Sequence, residues 1–249
     1  MTHQEYSRIL PDSKTVVVFI HGIVGTPNHF KDLVPLVPEE FSVCNMLLDG
    51  HGKGVKEFAK TSMKKWKNQV HEKIAELSET HENILIVAHS MGTLFAIKEA
   101  LSNPKIKELF LLAVPFKVGI KPAMFSNSMM LYLGGSKKDN PRIAAQKNAY
   151  GVENDLRFWR YIGWIPRYLE LFGEIRRVRP LAKQIPIPCQ AFQSRKDEVV
   201  SRSAMKYLQE NPRISARFLE GSTHCYYAPQ AWEELLCAFE KTMAQAKDY

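Results

Sequence analysis

The chain has 249 residues, 45% hydrophobic and 24% charged, with a formal net charge of +8. That balance excludes a disordered or fibrous chain and suits one large domain or two small ones. No run reaches the roughly 18 uninterrupted apolar residues of a membrane span, and the start, Met1-Thr2-His3-Gln4-Glu5, lacks the basic and apolar stretches of a secretory leader. Cys44, Cys189, Cys225 and Cys237 are scattered without a Cys-x-x-Cys pair, which points to buried free thiols, no disulfide framework or zinc site, and a cytoplasmic setting.

In chain order, Thr15–Ile20 is a short β-branched apolar run ending at His21-Gly22 and reads as a strand buried on both faces. Residues 42–48 are a second strand candidate, followed by Asp49-Gly50-His51-Gly52. Between 62 and 80, Met63, Trp66, Val70, Ile74 and Leu77 recur at 3, 4, 4, 3 and mark one helical stripe. Residues 84–88 form the clearest strand. A helix is expected over 91–102, stopped by Asn103-Pro104, and a buried strand over 109–114. Strands follow near 188–193 and 216–219, with helices near 201–210 and 230–246. The alternation predicts an α/β fold: a mostly parallel twisted sheet with helices on both faces. Ligands in such sheets sit beyond the carboxyl ends of the strands, where His21, His51, Ser90, Asp197 and His224 all fall.

One long interruption breaks the alternation. It divides the chain into a core of residues 1–114 and 184–249 and an inserted, mainly helical cap of residues 115–183. The insertion holds thirteen Lys/Arg and five Asp/Glu, so it carries the whole positive excess, and it has ten of the 26 aromatics. Solvated surface charge accounts for this; so does an anionic substrate or an anionic lipid surface met through the cap. Nucleic acid is not expected, because the charge lies on a lid. Met124, Phe125, Met129, Met130, Leu131 and Leu133 are candidates to line an acyl pocket or to form the cap's own core.

Ser90 follows a strong strand and precedes a helix. A serine there is often only a helix cap. A sharp turn at that point, with Gly92 two residues on, instead lifts the hydroxyl above the sheet toward the helix N–H groups. Serine is a weak nucleophile and needs a base and an orienting partner.

Ala88-His89-Ser90-Met91-Gly92 resembles the nucleophile elbow of the α/β-hydrolase superfamily, with Ala88 in place of its first glycine. His21-Gly22-Ile23-Val24-Gly25-Thr26-Pro27 resembles the oxyanion loop, and Asp49-Gly50-His51-Gly52 a turn of small carboxylesterases and monoacylglycerol lipases. The resemblance covers nearly the whole chain outside the cap. It implies Ser90 as nucleophile, Asp197 as acid and His224 as base, with Glu198 an alternative acid and helix capping an alternative task for Asp197. It implies an oxyanion hole from the backbone N–H groups of Ile23 and Met91, and neither metal nor organic cofactor. The expected activity is hydrolysis of a carboxylic ester. A thioesterase, a lysophospholipase or a carbon–carbon bond hydrolase uses the same triad, and a dead scaffold that only binds is the competing class. Among the remaining histidines, His3, His29, His71 and His81 read as solvated, and His21, His51 and His89 as turn-holding. Cys225 reads as packing. Gly22, Gly25, Gly50, Gly52 and Gly54 lack the Gly-Lys-Ser/Thr that a phosphate loop needs.

Overall fold

The computed structural model describes residues 3–119, 141–153 and 155–249. Seven strands form the main sheet: β1 (Tyr6–Arg8), β2 (Thr15–Ile20), β3 (Ser42–Met46), β5 (Asn83–His89), β6 (Ile106–Leu112), β8 (Cys189–Ser194) and β9 (Ile214–Leu219), in the order β1-β3-β2-β5-β6-β8-β9. β1 is antiparallel to β3 and every other pairing is parallel. β4 (Lys53–Gly54) and β7 (Val152–Glu153) make a separate two-stranded ribbon. The helices are α1 (Val55–Lys60), α2 (Met63–Thr80), α3 (Met91–Ser102), α4 (Pro141–Ala149), α5 (Ile165–Val178), α6 (Met205–Leu208) and α7 (Pro229–Gln245).

The sheet divides two apolar cores, and the two-residue period of a strand decides which side chain enters which. Val16, Val18 and Ile20 of β2 join Trp66 and Ile74 of α2 and Leu94 and Ile97 of α3 on one face. Val17 and Phe19 join Phe30, Leu235 and Phe239 on the other. The whole predicted stripe of α2 is buried. Ser62 caps this helix, accepting the Lys65 N–H at 3.2 Å.

Chain order reverses between β2 and β5: the chain runs outward to β3, then returns past β2 to build the other half. That is a topological switch point, where two strands open a crevice at their carboxyl ends. Their register pairs Ile20 with Ala88, so His21-Gly22 and His89-Ser90 emerge side by side.

Several boundaries differ from the sequence-based reading. The strand expected over 109–114 begins at Ile106 and ends at Leu112, because Ala113 turns to φ +53°. The helix expected over 201–210 is a 3-10 turn, Arg202–Ala204, followed by the single turn of α6. In the insertion, α5 packs against α2 and α3, and Leu171, Ile175 and Val178 enter the sheet's own apolar core. Glu174 of α5, fully buried, is held there by Lys67, Lys98 and Arg177. Met124, Phe125, Met129, Met130, Leu131 and Leu133 lie outside the described residues.

Candidate active site

Ser90 sits at the join of β5 and α3 with φ +51° and ψ −120°, a conformation that costs a side-chain-bearing residue about 1–3 kcal/mol. Its surroundings hold it there. The Ser90 N–H donates to Leu112 O at 2.9 Å, and Ser90 O accepts from Thr93 Oγ1 at 2.6 Å. Gly92 has no room for a methyl group: a Cβ would overlap the Ile20 carbonyl oxygen and lie 2.8 Å from that of His21. A Cβ on Gly22 would lie 2.9 Å from Ser90 Cβ, so the turn after β2 rides directly on the serine. Ala88 is fully buried in the core beneath. A methyl is accommodated there, and the elbow forms without its usual first glycine.

Asp197 and His224 lie on the loops after β8 and β9. Asp197 is buried, and its two oxygens have separate partners. Oδ1 accepts the N–H groups of Val199 and Val200, both at 2.7 Å, and Oδ2 lies 2.9 Å from His224 Nδ1. Glu198, the other candidate acid, accepts the backbone N–H of His224 at 3.2 Å and so holds the main chain. Burial pushes the His224 imidazole toward neutrality. The charge and hydrogen bond of Asp197, with a smaller contribution from Glu198, outweigh it and hold the pKa above its usual 6.5. His89 Nε2–H donates to His224 O at 3.0 Å and ties the serine's turn to the histidine's loop.

The turn after β2 lies at the same edge. His21 fixes it with both ring nitrogens: Nδ1 lies 2.8 Å from Gly22 O, and Nε2 accepts the Leu48 N–H at 3.1 Å. Val24 has φ +48°, and Gly25 N–H closes the turn on Gly22 O at 3.0 Å. The insertion adds a brace. Gly151 N–H donates to Val24 O at 2.8 Å, while Gly52 N–H donates to Gly151 O at 2.6 Å. Met91 opens α3, so its N–H has no acceptor one helical turn back.

Of the histidines read as solvated, His81 is buried and His29 half-buried. His29 packs on His89 with the rings tilted by 31° and their centroids 3.9 Å apart, and burial first, then the charge of His224, lowers its pKa to about 3. His81 is buried at the end of α2, its Nδ1 3.0 Å from Leu77 O. Neither was readable from spacing, because each is buried by a partner distant in sequence or by a helix end. His71 remains on the surface beside Glu99.

The sequence model of the family described as serine aminopeptidase S33 matches residues 11–227. The chain belongs to this family of α/β hydrolases. No functionally curated protein matches it. Its fold is shared by a structure from the pair of metagenome-derived lipolytic enzymes LipS and LipT (16% identity, 98% of this chain and 98% of that one, TM-score 0.73). It is shared too by the monoacylglycerol lipase of Paleococcus ferrophilus (19% identity, 97% of this chain and 99% of that one, TM-score 0.70). A third such structure is the ferulic-acid-bound Est1E of Butyrivibrio proteoclasticus (18% identity, 99% and 96%, TM-score 0.66). The S33 hydrolase frame thus carries a serine elbow, a carboxylate–imidazole pair and a donor-bearing turn at one sheet edge.

Proposed function

We propose that the protein is a serine carboxylic-ester hydrolase, with Ser90 as nucleophile, His224 as base and Asp197 as the orienting acid. The observation that carries this reading is the contact of the buried Asp197 carboxylate with the half-buried His224 imidazole, at 2.9 Å, on the sheet edge that also bears the Ser90 elbow. Ser90 Oγ attacks the acyl carbonyl as His224 Nε2 takes its proton. The Ile23 and Met91 N–H groups receive the oxyanion. His224 returns the proton to the leaving alcohol, and the same base then activates water to release the acid. Asp197 keeps the Nδ1 proton in place and stabilises the imidazolium. The reading needs no metal or organic cofactor. Treating folded protein with a fluorophosphonate probe tests it: one adduct is expected, on Ser90, and none in Ser90→Ala, which also loses ester turnover. A folded wild-type protein that takes no label, the outcome for a scaffold that only binds, sinks it. A panel of esters, thioesters, lysophospholipids and amides, with a carbon–carbon cleavage substrate, separates the ester reading from the alternatives on the same triad; amides enter because of the family's description.

The cap reading is part of this proposal: residues 115–183 cover the site of a core formed by 1–114 and 184–249, with α5 as the anchored base of the cap. Met124, Phe125, Met129 and Met130 are proposed to line the acyl site. The substrate is proposed to be a medium-sized acyl ester such as a monoacylglycerol. An anionic lipid surface is the proposed partner of the cap. Six of the nine exposed large apolar side chains among the described residues crowd into 14 positions: Leu156, Phe158, Trp159, Ile162, Ile165 and Leu169, the first two 79% and 72% exposed. Arg157, Arg160 and Arg167 are interleaved with them. No helix among the described residues is long and apolar enough to cross a membrane, whereas apolar side chains flanked by arginine suit insertion to headgroup depth. Each apolar side chain withdrawn from water contributes about 1.5–3 kcal/mol. Leu156→Ser/Phe158→Ser/Trp159→Ser should therefore lose at least tenfold in flotation with anionic vesicles while hydrolysing a water-soluble ester normally. Equal flotation of variant and wild type counts against the surface. Free, buried Cys44 and Cys189 accord with a cytoplasmic location.

A further inference from the structure

Beside His224 lies a group of side chains that take no direct part in the proposed reaction. His29, His89 and Cys225 each bring one metal-ligating atom within 4.8 Å of the other two. They come from three separate segments: the 3-10 turn after β2, the end of β5 and the loop after β9. The His29 and His89 rings lie 3.9 Å apart, tilted by 31°, and the His89 ring is 4.8 Å from that of His224. Nε2 of His89 is engaged with His224 O at 3.0 Å, so His89 can ligate through Nδ1, or through Nε2 by giving up that hydrogen bond. Among the described residues, the polar contact of the His29 ring is long, 3.4 Å to Tyr227 Oη. Cys225 is a half-buried free thiol.

We propose that His29, His89 and Cys225 form a binding site for a thiophilic transition-metal ion, typified by Zn2+, and that occupying it switches hydrolysis off. The donor set decides the class of ion. Two imidazoles and one thiolate suit Zn2+ or Cu+, and hard cations such as Mg2+ and Ca2+ take oxygen ligands instead. Metal–nitrogen and metal–sulfur bonds of about 2.0–2.1 and about 2.3 Å require the ligand atoms to draw together by roughly 1 Å. Small side-chain rotations supply that movement. As the metal–sulfur bond forms, the Cys225 thiol gives up its proton to solvent. Three protein ligands leave a fourth position for water.

The link to hydrolysis is covalent and short. Cys225 is the next residue after His224, and His89 already holds the His224 carbonyl. Drawing Cys225 and His89 onto one ion shifts the His224 ring relative to Asp197. The inhibition rests on the proposed role of His224; the binding does not.

Equilibrium dialysis of the reduced full-length protein against Zn2+, with Co2+ as a spectroscopic probe, tests both halves separately. One ion per chain is expected, with a thiolate-to-cobalt charge-transfer band in the near ultraviolet. Cys225→Ser should lose the band, and both Cys225→Ser and His29→Gln should weaken binding at least tenfold. Both variants should hydrolyse ester normally in chelator. Zn2+ should inhibit the wild type, chelator should restore it, and both variants should resist. A wild type with no thiolate band or no stoichiometric ion overturns the site. Binding without inhibition, or inhibition equal in wild type and both variants, overturns the switch, the second outcome placing the ion on the triad itself.

Discussion

Asp197→Asn should lower kcat for a soluble ester by about 10⁴-fold, with the fold intact. The reason lies in how the two carboxylate oxygens are used. Oδ1 is fixed by the Val199 and Val200 N–H groups, both at 2.7 Å. An asparagine must keep an oxygen there, so its NH₂ group faces His224 Nδ1. A donor at that point forces Nδ1 to accept, which moves the ring proton to Nε2. The nitrogen that should take the Ser90 proton is then already protonated.

The pH profile gives an independent reading of the same substitution. In its proposed role as base His224 must be neutral, so kcat/KM is expected to fall as pH drops through its pKa, which Asp197 holds above 6.5 against the opposing effect of burial. Removing that charge lets burial prevail, and the residual activity of Asp197→Asn should keep its acid limb at lower pH than the wild type. Glu198→Gln serves as the control. Glu198 holds the backbone N–H of His224 and adds only a smaller charge effect than Asp197 to the imidazole, so less than tenfold in kcat is expected. A larger loss at Glu198 than at Asp197 reverses the assignment of the acid.

How much of this was legible in the sequence depended on how locally each feature is determined. β2 and α3 occur where β-branched runs and helix stops place them, because burial on both faces of a parallel strand and a clear end at Asn103 are local signals. The roles of Ser90, Asp197 and His224 as nucleophile, acid and base came from the resemblance to the family; their places after strands were readable from the residues. β1 was not, since its three residues are largely exposed and carry no alternation; only the free edge of β3 makes it a strand. The β4–β7 ribbon was equally hidden, as its two halves lie about a hundred residues apart and contribute two residues each. His29 was misread for the same reason: its burial comes from His89, sixty positions away. The insertion's dual character was also invisible. The periodicity of α5 marks an apolar face without showing that α2 and α3 receive it.

Gly151 is where that insertion reaches the chemistry. It lies against the turn after β2 so closely that a Cβ would overlap the Gly25 carbonyl oxygen and sit 2.7 Å from the carbonyl carbon. Gly151→Ala cannot be absorbed by a side-chain rotation, because the obstruction is backbone. Either the turn carrying Ile23 moves, or the 150–153 segment withdraws and breaks the Gly151–Val24 and Gly52–Gly151 hydrogen bonds. Both outcomes loosen the proposed oxyanion donor, the Ile23 N–H; losing such a donor costs about 3–4 kcal/mol in the transition state. The expected result is a fall in kcat of about 10²-fold and a matching slowing of fluorophosphonate labelling at Ser90, with stability reduced by only about 1–3 kcal/mol. Unlike replacement of the Ile23 side chain, which leaves its N–H in place, this substitution acts on the donor's backbone. Undiminished kcat in folded Gly151→Ala removes the turn after β2 from the oxyanion hole. A fall in kcat without slower labelling places the defect after acylation, in the entry of water or the exit of the acid beneath the insertion.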